Sequence, residues 1–329
     1  MKKSYGAIDI AKFIGAFLVL TVHCDIGALP TVLVRWAVPF FFISSAFFLF
    51  GKSKNGNIDS TVLKRYVIRI AALYGLWFIF NLPSVYYHFF FRKDIGDINI
   101  WLDLFKSAVL GSTFLGSWYL ASSIFSAVFV FLLSKKLSTK AVMAVSSLFY
   151  LACIMISCYC SLLPAAVQSF LWSWVFPQCI FQGLFFFAIG KYISENKEAV
   201  LAKISKKKAL IGFVACYLVF LGELFITERF ALSNGSEASF ATPFMALFLF
   251  LLCIQADFEC KQALLLRKLS VIIYCCHSII VDLNWVTRRA FGLSAYTNYF
   301  LSIAAVAAVC AVVLFVQKKF KWKWTEYLT

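Results

Sequence analysis

From Ala141 to Gly190 the chain runs for fifty residues without one Asp, Glu, Lys or Arg. Two crossings of a bilayer, at about 20 residues each, would use up such a stretch, whereas a small soluble core could not hold it. Pro164 and Gln168, within SLLPAAVQS, divide it into the two crossings. The rest of the chain agrees: 62% of its 329 residues are apolar and only 14% charged, with a mean hydropathy of +0.86. That composition excludes an ordinary soluble globule. The predicted fold class is all-α, a polytopic membrane helix bundle.

Windows of about 20 apolar residues mark ten spans, near 7–25, 32–51, 67–88, 117–134, 141–160, 169–190, 209–227, 239–256, 269–286 and 297–317. Lys and Arg are retained on the cytoplasmic side. With the N-terminus inside, 23 of the 31 basic residues face the cytoplasm and 7 face out, and Lys12 alone is intramembrane. Ten spans with both termini cytoplasmic, in the plasma (inner) membrane, is therefore the predicted topology. The first span is too long and too polar for a cleaved signal peptide. Residues 1–329 are expected to form one membrane domain with no soluble domain at either end.

The net charge of +16 raises the question of nucleic acid, but a footprint needs basic residues gathered on one solvated face. Here they are spread over short loops, where membrane lipid headgroups are the expected partner and nucleic acid is not. Most of the eleven cysteines lie inside spans and no CxxC pair occurs, so neither a disulfide framework nor a bound metal is expected. Residues 99–111 read as a short amphipathic or re-entrant helix over the outer face. The tail KKFKWKW reads as an inner-surface anchor.

Ionisable groups are expensive inside a membrane, and two stand in the first span, Lys12 and His23. Eleven steps of 100° come to within about 20° of three full turns, so both share one face, about 16 Å apart along the axis. His23 is the strongest candidate for proton transfer, since a neutral imidazole can be buried and titrates near neutrality. A structural histidine bonded to a neighbouring helix is the plainer alternative. Asp9, three residues before Lys12, could pair with it; Asp25, two after His23, is poorly placed to orient the ring. Arg65 and Arg69 share a helical face and, with Lys64, form a cationic cluster suited to a phosphorylated ligand, although inner-surface anchoring also accounts for them. His277, about 12 Å into the ninth span, could equally bond another helix. His88 is expected to be solvated at the outer interface.

Six patterns, in order along nearly the whole chain, carry a family resemblance. They are Asp9, Lys12 and His23; Arg35 with Val38-Pro39-Phe40-Phe41-Phe42 and Ser44-Ser45; Lys64-Arg65-Tyr66-Val67-Ile68-Arg69; Trp118-Tyr119-Leu120; Phe185 to Gly190; and Leu269-Ser270 with Ile273-Tyr274 and His277. Together they resemble the acyltransferase 3 family of membrane O-acyltransferases. The chain departs from the family at Ser45-Ala46 in place of Ser-Gly, at Gly116-Ser117 where a His often precedes Trp-Tyr-Leu, and at the four-residue spacing of Arg65 and Arg69.

The resemblance implies a cytoplasmic acyl-CoA donor, acetyl-CoA by expectation, used as a co-substrate with no permanently bound cofactor. The acceptor it implies is a hydroxyl of an extracytoplasmic or lipid-linked glycan. Lys12, Lys64, Arg65 and Arg69 would hold the CoA phosphates, with His23 as general base or acyl carrier. Arg35 would bind the acceptor or the oxyanion, and Trp118 and Tyr119 would stack on sugar. Asp9, Ser45, Tyr274 and His277 would support the site. Some membrane domains resembling this family are associated with amino-acid export, as in the serine-supplying half of membrane-bound racemases. Export of a small amino acid is the alternative function.

Overall fold

The computed structural model describes residues 5–24, 26–27, 32–52, 58–90, 98–111, 113–174, 178–232 and 238–329. Asp25 lies outside the described residues, as do Lys2, Lys3, Lys54, Arg92 and Lys93, which entered the orientation argument. Among the described residues there are helices and no strands. The helices are α1 (Gly6–Val22), α2 (Ala37–Phe50), α3 (Ser60–Phe80), α4 (Leu82–Phe89), α5 (Ile98–Leu110), α6 (Ser117–Ser134) and α7 (Thr139–Ser157). They continue as α8 (Ala165–Trp174), α9 (Gln178–Glu195), α10 (Lys197–Lys203), α11 (Lys206–Arg229), α12 (Thr242–Ile254), α13 (Ala263–Phe291) and α14 (Ala295–Phe320), with a 3₁₀ turn over Lys323–Leu328.

Six helices among the described residues are long and apolar enough to cross a membrane: Val32–Phe50, Ser117–Ser134, Thr139–Ser157, Lys206–Arg229, Ala263–Phe291 and Ala295–Phe320. A seventh results if α3 and α4, bent by 70°, form one span. The described residues of the other apolar windows hold helices that do not meet that test. α1 has 17 residues and α12 has 13, while the window 169–190 is shared between α8 and α9.

Two compact units emerge, and each is described by itself. The first holds Met1–Ile8, Arg35–Val67 and Ser122–Glu259. Its centre is the packing of α9 on α2 and α7. Gly190 makes the approach possible, because a Cβ there would stand 2.5 Å from the Ile43 carbonyl oxygen. Phe42 stacks on Phe186 at 6.2 Å beside that crossing. Serines start the long polar-to-apolar transitions: Ser138 accepts from the Ala141 N–H and Ser205 from the Lys208 N–H, each satisfying an amide that the helix leaves unpaired. Lys191, which the charge pattern assigns to surface anchoring, is instead buried and bonded to Thr139 and Glu195.

Asp59 caps α3 in the same way. Its carboxylate takes the Thr61 N–H at 2.9 Å and the Thr61 hydroxyl at 2.8 Å. These bonds, the backbone one first, hold its pKa below the ordinary carboxylate value. A depressed pKa stabilises the folded helix start above the unfolded-state pKa, and the gain is lost as pH falls through the folded one. Asp59→Ala should therefore speed amide exchange at residues 61–63 at neutral pH, and unchanged exchange there would rule the cap out.

The second unit holds Asp9–Val34, Ile68–Ala121 and Cys260–Thr329, with α13 packed on α14 and α4. Ser294 caps α14 through the Thr297 N–H at 3.1 Å, and α13 ends on Gly292 in the left-handed conformation. The amphipathic helix expected near 99–111 is α5, which leaves Trp101, Leu102, Phe105 and Val109 exposed on one side and buries Ile100. After α14 the aromatic tail stacks Phe320, Trp322 and Trp324 in series. The chain then turns inward: Leu328 is buried, and its carbonyl accepts from the Trp77 indole at 3.3 Å.

Candidate functional site

The site grows from the end of α1. There the His23 N–H donates to the Leu20 carbonyl at 3.1 Å and the Cys24 N–H to that of Thr21 at 3.2 Å. Such i to i−3 bonds tighten a last turn and carry its residues off the α-helical register. His23 thus lies just past α1 and is exposed, a correction to the expectation of a buried imidazole within the span. Its ring stacks on that of His277, centroids 5.3 Å apart and planes at 21°.

His277 is the buried member, 0% exposed, within an unbroken buried run of α13 from Ile272 to Ser278. Its Nδ1 lies 2.6 Å from the Tyr274 carbonyl. A carbonyl can only accept, so Nδ1 carries the proton and Nε2 is left with a lone pair. That Nε2 has no hydrogen-bond partner among the described residues. An unpaired buried acceptor of this kind is costly, and in native proteins it calls for a specific reason.

The turn before α6 forms one wall. Tyr274 donates its hydroxyl proton to the Gly116 carbonyl at 3.2 Å, and the Leu115 N–H donates to Ser278 at 3.0 Å. Gly116 has φ +81°, and a Cβ there would meet His277 Cε1 at 3.1 Å and the Tyr274 ring at 3.2 Å. Any side chain would press on both rings and strain the backbone. The glycine that departs from the family pattern is therefore what lets the turn lie against the histidine. Tyr119 meets Tyr274 edge-on at 5.4 Å, and Trp118 is half-buried on the same first turn of α6.

Toward the start of α1, Asp9 is buried and takes both arms of Arg267, each at 2.9 Å. The sequence offers Lys12 as a partner for Asp9, and the structure adds Arg267. A guanidinium fork fits a carboxylate in two parallel bonds, which an ammonium cannot do. Lys12, half-buried, stays within electrostatic reach of Asp9, Arg267 and Arg69. Arg69 is exposed and donates to the Thr329 carbonyl at 3.2 Å. Lys12 and Arg69 are thus brought together in this unit, as are His23, His277, Tyr274 and Tyr119. Lys64, Arg65, Arg35 and Ser45 belong to the first unit. Lys64 and Arg65 are exposed on the first turns of α3, where Arg65 Nε donates to the Thr61 carbonyl at 3.3 Å. Arg35 and Ser45 are half-buried.

Three groups escaped the sequence reading. Arg267 was counted among the anchoring charges. Asp282 on α13 accepts from Ser84 and lies 3.3 Å from His88 Nε2, so the exposed His88 has a carboxylate neighbour. Asn81, between α3 and α4, is fully buried against α13. Its signal was present as a lone amide beside Pro83 within an apolar run, FNLP.

A family model described as an acyltransferase domain matches residues 5–316. The chain belongs to the acyltransferase 3 family. Membership supports acyl transfer as the class of activity and agrees with a multi-pass membrane protein. Among curated proteins, two from Enterococcus faecalis, each named an amino-acid racemase, are similar to this chain. One is 23% identical over 338 residues, covering 95% of this chain and 45% of the relative. The other is 24% identical over 303 residues, covering 85% and 42%. The chain spans less than half the length of these relatives. No solved structure matches it.

Proposed function

We propose that this acyltransferase 3 protein is an O-acyltransferase of the plasma membrane, with ten spans and both termini cytoplasmic. It takes an acyl group, acetyl by preference, from cytoplasmic acyl-CoA and places it on a hydroxyl of an extracytoplasmic or lipid-linked glycan. The observation that carries the reading is the stacked histidine pair, one ring exposed and the other buried with an unpaired Nε2. A sugar offers neighbouring hydroxyls. One loses its proton to His23, the exposed ring, and the next donates to the Nε2 lone pair of His277 once acceptor binding opens that buried ring.

The hydroxyl oxygen then attacks the thioester carbonyl, forming the new C–O bond as His23 takes the proton. Collapse of the tetrahedral centre breaks the C–S bond, and the His23 imidazolium returns its proton to the departing CoA thiolate. Should His23 first take the acyl group itself, the same proton balance holds over two steps. Lys12 and Arg69 supply the positive charge for the CoA phosphates. Tyr119 and Trp118 offer aromatic faces to the sugar.

Mass spectrometry of surface glycans from cells with and without the gene tests this directly. The expected difference is one acyl mass on a defined sugar, together with CoA binding to the purified protein that weakens about tenfold in Arg69→Ala, the scale for a lost charge-assisted contact. The family resemblance implies a second reading, export of a small amino acid. Unaltered glycans, no CoA binding, and uptake of labelled serine by vesicles holding the protein would replace the first reading with the second.

A further inference from the structure

We propose that Asn81 is a positioning residue for His277. Its amide is spliced into the backbone of α13 at the turn that carries the imidazole. The inference rests on the histidine pair being the reacting site, as proposed above.

Asn81 is 0% exposed. Its Oδ1 accepts from the Ile279 N–H at 3.1 Å, and its Nδ2 donates to the Cys275 carbonyl at 3.3 Å and to the Trp77 carbonyl at 2.7 Å. Ile279 and Cys275 are four apart, and an uninterrupted α-helix bonds that N–H to that carbonyl. The amide thus engages both members of one rung of the α13 ladder, two residues before and two after His277. The orientation of the amide is fixed by its partners, since two are carbonyls that only accept and one is an N–H that only donates. Every strong hydrogen-bonding direction but one lone pair is used, so the side chain has a single satisfied arrangement.

A side chain that bonds both the N–H and the carbonyl of one helical rung restrains the backbone between them. Here that restraint fixes two things. The Tyr274 carbonyl is held where His277 Nδ1–H can reach it, which keeps the lone pair on Nε2. The His277 ring is held in its stack on His23, beside Gly116. Asn81 touches neither imidazole through any of these three bonds, so it acts through the helix.

The test uses the three histidines of the chain. With the full-length protein in detergent carrying ¹⁵N-labelled histidine, and signals assigned by His23→Gln and His88→Gln, the His277 ring nitrogens should report Nδ1–H and a bare Nε2. In Asn81→Ala that pattern should give way to a mixture of tautomers. In Asn81→Asp, which keeps the acceptor for Ile279 but loses the donor to Cys275, the Nδ1 signal should also move, so the proposal stays testable if the alanine variant does not fold. In the acyl-transfer assay both variants should lose about 10²-fold in kcat, the scale of a small misplacement of a reacting group, with KM for acyl-CoA unchanged. Unaltered His277 nitrogen signals in the folded variants would overturn the role of Asn81. Intact signals in the wild type without any acyl transfer would instead overturn the function proposed above, leaving the positioning of His277 standing.

Discussion

His23→Ala should lower acyl transfer by about 10²–10⁴-fold, the range for a lost general base, and His277→Asn by about 10²-fold. The second substitution is chosen for its shape. The Asn amide nitrogen falls near the place of the imidazole Nδ1, so it can still donate to the Tyr274 carbonyl, while nothing replaces Nε2. Both proteins should insert, and both should bind CoA as the wild type does, because the histidines stand at the far end of α1 from Lys12 and the Asp9–Arg267 pair. The double variant is the decisive one. If the two rings handle one sugar together, removing both should cost little more than removing His23 alone, as happens for residues acting as a unit. Independent, multiplicative losses would mean that the stack is only a packing contact. Wild-type transfer in His277→Asn would remove the unpaired Nε2 from the chemistry.

Lys12 and His23 stood out in the sequence because charge and imidazole are rare in apolar runs, and helical spacing put them on one side of α1. The spacing could not show that α1 ends at Val22, so the ring expected inside the span is exposed and the buried ring is His277. Hydropathy reports where a helix is apolar; its last hydrogen bonds decide where it stops. Lys12, three residues on, stays within electrostatic reach of Asp9, but the two-bond partner of that carboxylate, Arg267, is 258 positions further on and invisible to local spacing. Asn81 was passed over because its worth lies in two backbone groups of another helix, which no local pattern reveals. Among the described residues six helices, or seven with the bent pair, reach spanning length, against the ten windows that hydropathy marks.

Glu223→Leu should destabilise the protein by about 3 kcal/mol, from the loss of three hydrogen bonds, one to a buried amide and two to part-buried groups. Within the apolar run 209–227 a lone carboxylate would, by the economics of the membrane interior, be taken for a transport or catalytic group. Its surroundings in the first unit argue otherwise. Oε1 accepts from the Phe240 N–H at 2.9 Å and from the Tyr159 hydroxyl at 3.1 Å, and Oε2 from the Ala241 N–H at 3.2 Å. These amides sit at the entrance to α12, where the helix dipole also favours negative charge. Leucine would fit the apolar surroundings but leave two amides and a hydroxyl without an acceptor. Glu223→Gln should cost less, since one oxygen remains, and Tyr159→Phe about 1 kcal/mol, the usual net worth of one hydrogen bond. Thermal unfolding in detergent should rank the midpoints as wild type, Tyr159→Phe, Glu223→Gln, Glu223→Leu. Acyl transfer per folded molecule should stay at the wild-type level throughout the series. A leucine variant that melts with the wild type but no longer transfers would return Glu223 to the chemistry and break the assignment of that chemistry to the histidine pair alone.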